Sequence, residues 1–274
     1  MDNRPIGIFD SGLGGLSVVK EFIDILPNES IVYFGDTGRV PYGTKSKDTI
    51  LKFARQDEAF LLSKDVKMII AACGTVSSVA DNSLKPDGVK FLGVVEPSAK
   101  EAVRLSKNKK IGVIGTSATV SSNSYKKAIN AIDDSIEVFS VACPLFVGIV
   151  EQGWIADDDE IAYLTAKRYL QPLKEAGVDT LILGCTHFPL LSGTIARVMG
   201  EDVALISSGG AAAKEAAQIL LENELLNDEI NSQSYNFYVS DSPNGFKETA
   251  ERFLQSKIGN DIQKIEIERY GKED

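Results

Sequence analysis

A chain of 274 residues, 43% hydrophobic and 25% charged, is long enough for one large or two ordinary domains, and no apolar run nears the ~20 residues of a membrane span. The formal net charge of −10 weighs against nucleic acid as the main partner, because binding phosphates takes a basic surface; a small anion held by local dipoles stays open. Three cysteines, odd in number and far apart, and an N-terminus without a signal-peptide core lead us to expect a cytoplasmic enzyme or binding protein with no disulfide framework and no membrane partner.

In chain order, a strand is expected at 6–9, then the loop "DSGLGGLS" (10–17) and a helix over 15–26. A strand at 31–34 leads into "GDTGRVPYGTKS" (35–46) and a helix over 46–64. The strand at 68–72 ends at Cys73, and a strand at 90–95 precedes a helix over 97–107. A strand at 111–114 runs into the hydroxyl-rich turn "GTSATVSS" (115–122) and a helix over 121–132. The strand at 136–141 ends near Cys143, which reads as packing, and a helix over 158–176 follows. A strand at 180–183 ends at Cys185, Thr186 and His187, the only histidine; a helix over 190–200 and a strand at 203–206 come next. Late strands are expected at 236–241 and 262–270, with a helix between them.

Continuous apolar strands separated by helices indicate a parallel sheet covered on both faces, hence a doubly wound α/β fold. There is also an internal echo. Ile6 and Ile111, Cys73 and Cys185, Ser98 and Ala212 head similar short stretches in the same order. Two similar parallel-sheet domains facing a shared cleft are therefore expected. The first would be 1–97 with 211–274, where the tail returns to complete it, and the second 98–210. Ligands of such sheets bind beyond the carboxyl ends of the strands, which makes Cys73 and Cys185 equivalent residues on opposite walls.

A cysteine after an apolar strand is often inert core. Both of these also precede a helical stretch, and a helix N-terminus lowers a thiol pKa toward the range useful for proton transfer. Two facing thiols could remove a proton from one face of a carbon and return one to the other, which inverts a stereocentre with no metal and no cofactor. A disulfide between them and a zinc site using His187 are rival readings. The second lacks a Cys-x-x-Cys pair, and Cys185 and His187 are two residues apart. "DSGLGGLS" resembles a dinucleotide fingerprint with Ser17 at the third glycine, and Asp36 could mimic the ribose-binding acid. Asp10, directly before the loop, would repel a pyrophosphate; the alternative lines the cleft with Asp10 and Ser11. The two remaining loops read as a solvated turn and an N-cap, or as carboxylate holders.

With these motifs in hand, the chain resembles the glutamate racemases of the aspartate/glutamate racemase superfamily. The match runs through "IGIFDSGLGGLSVVKE", "YFGDTGRVPYGTKS", "GVVEPS", "IGVIGTSATV", "CPLFVGIVEQG", "LILGCTHFPLL" and "FYVSDSPNGFKETAERFL". The resemblance implies cofactor-independent interconversion of L- and D-glutamate, supplying D-glutamate for peptidoglycan. It implies that Cys73 deprotonates D-glutamate and Cys185 L-glutamate, assisted by Asp10 and His187, with Glu151 near the site. Substrate contacts would come from Asp10, Ser11, Pro41, Tyr42, Gly43, Gly74, Thr75, Thr116, Thr119, Thr186 and His187. Homodimers are common in the family. Two positions depart from its pattern: Cys73-Gly74-Thr75 stands for Cys-Asn-Thr, and Ser207-Ser208-Gly209 for Asp-Ser-Gly. A missing asparagine side chain predicts a weaker enzyme that Gly74→Asn would improve, and the second departure questions the local loop. An aspartate racemase, a one-thiol decarboxylase or isomerase, and a weakly active binding paralogue are the alternatives.

Overall fold

The computed structural model describes residues 2–80, 84, 86–229, 233–243, 246–254, 256–258 and 262–271. The first sheet contains β1 (Ile6–Asp10), β2 (Ile31–Gly35), β3 (Met68–Ala71) and β4 (Lys90–Gly93), with α1 (Leu16–Ile25), α2 (Lys47–Leu62) and α3 (Gly74–Val79) between them. The tail completes it with β9 (Tyr235–Val239), α11 (Phe246–Leu254) and β10 (Ile262–Lys264). The second sheet contains β5 (Lys110–Gly115), β6 (Glu137–Ala142), β7 (Thr180–Leu183) and β8 (Ala204–Ser207). Around it lie α4 (Val95–Leu105), α5 (Ser117–Ser122), α6 (Ser124–Ile132), α7 (Pro144–Glu151), α8 (Glu160–Ala176), α9 (Ser192–Met199) and α10 (Ser208–Glu222).

The sheet orders are β10-β9-β2-β1-β3-β4 and β6-β5-β7-β8, and every pairing is parallel. Strands covered on both faces must be apolar throughout; β1, β2, β3 and β7 are buried at every position. In β6, an edge strand, no residue is fully buried. The runs β2-β1-β3-β4 and β6-β5-β7-β8 are one order used twice. Ile6 and Ile111 lie in the matching strands β1 and β5, and Cys73 and Cys185 follow the matching strands β3 and β7. Ser98 and Ala212 lie in α4 and α10, which pack on each other between the sheets. The expected domain boundaries therefore each fall inside a helix. Among the described residues no helix is long and apolar enough to cross a membrane.

Three elements differ from expectation. The helix over 121–132 is broken at Asn123, whose φ of 55° is left-handed and caps α5, a conformation asparagine tolerates. The strand over 262–270 stops at Lys264, and a 3-10 turn at Ile267–Arg269 tucks Ile267 under α2. Helix α7 forms in a stretch where no helix is expected: Pro144 takes its first position, where a missing N–H costs nothing, and Cys143 is its buried N-cap.

Candidate active site

The segments after β1, β2, β3, β5, β6 and β7 converge on one cleft of about 310 Å³ between the carboxyl ends of the two sheets. Cys73 and Cys185 both line it. All three cysteines are free, and no group of three or more potential metal-binding side chains occurs among the described residues.

Cys73 is the N-cap of α3, with its Sγ 3.4 Å from Ser11 Oγ. Its thiol is pushed up to about 12, first by burial and then by the negative charge of Asp10, while hydrogen bonds from Ser11 and the Val76 N–H pull the other way. The expected lowering by a helix N-terminus is thus overturned, because one and a half turns of helix cannot outweigh complete burial beside a carboxylate. Cys185 does not cap an α-helix: a 3-10 turn at Phe188–Leu191 intervenes before α9. It has His187 instead, with Sγ 3.8 Å from Nδ1, and His187 Nε2 lies 3.1 Å from Glu151 Oε1. Burial alone would lower the imidazole, but hydrogen bonds to Cys185 and Glu151 and the charges of Cys185 and Asp10 hold it up to about 10. At neutral pH the wall of Cys185 carries an imidazolium.

Asp10 ends β1, fully buried behind Ser11. Its Oδ2 accepts the Gly12 N–H at 3.0 Å, and its Oδ1 has no hydrogen-bond partner among the described residues. Burial raises its carboxyl, and the charge on His187 works against that. An orphan oxygen here is what a proton-handling site can contain. The glycines of "DSGLGGLS" serve protein rather than phosphate: a Cβ at Gly14 would stand 2.2 Å from Thr186 Oγ1 and 2.6 Å from His187 Nδ1. Ser17, at the third-glycine position, has its Oγ 2.7 Å from the Thr186 carbonyl oxygen. It ties α1 to the opposite wall, a role the fingerprint comparison misses.

Pro41, Tyr42 and Gly43 line the cleft. The Tyr42 hydroxyl points behind it, donating to Asp36 Oδ2 and lying 3.2 Å from Asp57 Oδ2. Arg39 closes the cluster, donating to Asp36 at 2.6 Å and Asp57 at 3.1 Å, while Ser240 Oγ donates to Asp36 at 2.7 Å. Burial, then the Asp36 charge, raises Asp57; burial, then both carboxylates, raises Tyr42. Asp36 therefore anchors the cleft loop and is no ribose-binding acid. Between the two walls the Thr75 and Thr116 hydroxyls meet at 3.1 Å, and Thr116 caps α5 by accepting the Thr119 N–H at 3.2 Å.

Of the expected site residues, Ser11, Gly74, Thr75, Thr116, Glu151, Thr186 and His187 also line the cleft. Asp10 and Thr119 stand one layer behind it, both buried. Val147 and Gly148 line it unforeseen; they share a face of α7 with Glu151, and that spacing was the available signal once α7 is a helix. Two departures from the family pattern resolve physically. Ser207 caps α10 by accepting the Gly210 N–H at 3.2 Å and donates to Glu21 Oε1 at 3.0 Å, so α1 supplies a carboxylate at this helix start. At Gly74 a Cβ would stand 2.2 Å from the Gly184 carbonyl oxygen, so an asparagine there requires the local backbone to shift.

Twin parallel sheets sharing a cleft with a thiol on each wall define the racemase type of α/β enzyme. The family model described as Asp/Glu/Hydantoin racemase matches residues 18–216, and the chain belongs to that family. Its nearly end-to-end similarity is to glutamate racemases. It is 45% identical over 266 residues to the one from Geobacter metallireducens, covering 97% of each chain. It is 46% identical over 270 residues to the one from Neisseria meningitidis serogroup A, covering 98% of this chain and 97% of the other. The crystal structure of glutamate racemase from Francisella tularensis in complex with D-glutamate matches with a TM-score of 0.90 at 41% identity, over 98% of this chain and 100% of that one.

Proposed function

We propose that this enzyme interconverts L- and D-glutamate by passing protons through two opposed thiols, with no metal or organic cofactor. The observation that carries the reading is that Cys73 and Cys185, at corresponding ends of β3 and β7, line one cleft from two different sheets. Similarity to glutamate racemases along nearly the whole chain supports glutamate as the substrate.

In one direction Cys185, as thiolate, takes the α-proton of L-glutamate. The C–H electron pair stays on carbon, spread into the α-carboxyl group, and the carbon becomes planar. Cys73, as thiol, then gives its proton to the opposite face, forming D-glutamate. The reverse reaction begins with the thiolate at Cys73. Each turnover leaves the two thiols in exchanged protonation states, so protons passed to and from water reset the site. His187, positive and held by Glu151, stands with its Nδ1 3.8 Å from the Cys185 sulfur. Cys73, held up to about 12 by burial and the Asp10 charge, is a ready donor, and the substrate ammonium brings a positive charge that lowers it for the reverse step. Hydroxyls of Ser11, Thr75, Thr116 and Thr186, rather than Lys or Arg, line the cleft and suit the two carboxylates of glutamate. The reading extends to a cytoplasmic homodimer whose product supplies D-glutamate for peptidoglycan.

The test follows L-glutamate in deuterium oxide by loss of optical rotation and deuterium at the α-carbon. Cys73→Ala and Cys185→Ala should each lower racemisation by roughly 10³-fold or more; full activity in either ends the two-thiol scheme. Activity lost to a chelator and restored by zinc, or restored by pyridoxal phosphate, ends the cofactor-free part. Faster turnover of aspartate than of glutamate would move the substrate assignment.

A further inference from the structure

We infer that Ser17 is a positioning residue for the opposite wall: its hydroxyl holds the Thr186 carbonyl and so keeps Cys185 and His187 aligned for proton transfer. The inference rests on the two-thiol reading. Ser17 lies on α1, in the stretch after β1 that also carries Asp10 and Ser11, the neighbours of Cys73. Thr186 stands between Cys185 and His187, after β7 of the second sheet.

The need for a donor there comes from the local sequence. After β7 the carbonyl oxygens of Cys185 and His187 each accept the N–H three residues on, from Phe188 at 3.0 Å and from Leu190 at 3.2 Å. The matching donor for the carbonyl between them would be residue 189, which is proline and has no N–H. Thr186 is buried, and a buried carbonyl without a donor is costly. Among the described residues its one donor is the Ser17 hydroxyl, at 2.7 Å. That hydroxyl also lies 2.9 Å from Gly14 O, but Gly14 O already accepts the Ser17 N–H at 3.0 Å. Only Thr186 depends on it.

The tied peptide joins the two groups of that wall, Cys185 Sγ and His187 Nδ1, which are 3.8 Å apart. The loop that leads into α1 lies against the same pair: a Cβ at Gly14 would stand 2.2 Å from Thr186 Oγ1 and 2.6 Å from His187 Nδ1. Without the hydroxyl the Thr186 peptide is free to turn its oxygen elsewhere, and the sulfur and the imidazole shift relative to the α-carbon. A displacement of about 1 Å can cost ~10²-fold in rate. The loss should fall on the wall that Ser17 touches, not on the wall to which it is covalently joined. A merely structural role gives the opposite pattern, because a loosened α1 would disturb Asp10 and Ser11, and with them Cys73, first.

The experiment follows deuterium uptake at the α-carbon by purified full-length single-thiol variants in deuterium oxide. Alanine is a good helix former, so Ser17→Ala leaves α1 intact. In Cys73→Ala with L-glutamate, Ser17→Ala should slow exchange at Cys185 by about tenfold or more. In Cys185→Ala with D-glutamate, it should slow exchange at Cys73 by less than about threefold. An equal loss at both walls, a greater loss at Cys73, or no loss at either overturns the inference. Pro189→Ala supplies the missing N–H, so in its presence Ser17→Ala should cost at most about a third as much in the Cys185 half-reaction. A cost left unchanged by Pro189→Ala means that Ser17 does not act through the Thr186 carbonyl, and overturns the inference as well. Failure of the two-thiol reading looks different: racemisation would survive in Cys73→Ala or Cys185→Ala with Ser17 intact.

Discussion

His187 shows how one side chain can make the two thiols unlike each other. L- and D-glutamate have equal free energies, so kcat/KM must be the same in both directions at every pH and in every variant. An effect confined to one wall is therefore invisible in kcat/KM ratios and visible in half-reactions. We predict that His187→Asn in a Cys73→Ala background slows deuterium exchange into L-glutamate by about 10²-fold. In a Cys185→Ala background, exchange into D-glutamate should fall far less. Equal losses would place His187 in substrate binding or structure. Its titration carries a sign as well. A histidine raised from 6.5 to about 10 contributes stability that is full below about pH 6.5 and fades as pH climbs through about 10. In the folded enzyme the positive charge itself is lost only as pH climbs through about 10, so racemisation should decline there.

Helix α2 shows what a whole element hides. Gln56, Asp57 and Glu58 are consecutive polar residues, which on a helix read as a solvated face, yet all three are buried. Gln56 and Asp57 answer Arg39 and Tyr42 of the cleft loop. Glu58 has an oxygen with no hydrogen-bond partner among the described residues, and burial, partly offset by the charge of Arg55, raises its carboxyl to about 7. Between its ordinary 4.5 and about 7 the folded protein holds a proton that the unfolded chain has released, so stability falls as pH rises through that window. Glu58→Gln should therefore stabilise the fold at pH 8 by on the order of 2 kcal/mol and leave it nearly unchanged at pH 4. Denaturant unfolding at the two pH values decides it, and equal shifts at both would contradict the assignment. The strands that carry the site were legible because burial on both faces forces a continuous apolar run. So were the two cysteine-bearing strand ends, since each repeats the other. Helix α7 was not, because its exposed side carries apolar residues too, Leu145 among them, and leaves no apolar-polar alternation to read. The direction of the Tyr42 hydroxyl was not either, since it is set by Asp57 on a different element.

At the scale of the whole molecule, the tail is part of the first sheet and touches the site. β9 supplies the neighbour of β2, and Phe253 of α11 packs edge-on against the His187 ring at 5.7 Å. Ending the chain after Glu229 should strip β2 of that partner and uncover the surface now shielded by Phe237, Tyr238 and Phe253. The shortened protein should aggregate or lose cooperative unfolding by circular dichroism; a soluble, cooperatively folded product would show that the tail is only an appendage. The doubled strand order has one more consequence, for how such a site can change over generations. Were the two units identical copies meeting at a symmetry axis, every substitution would strike both walls at once, and the partners of one thiol would always be the partners of the other. Written as two stretches of one gene, the walls are free to drift apart. Ser11 and Asp10 could gather around one sulfur while His187 and Glu151 gathered around its counterpart. A catalyst that handles mirror-image molecules evenly does not need walls that are themselves alike.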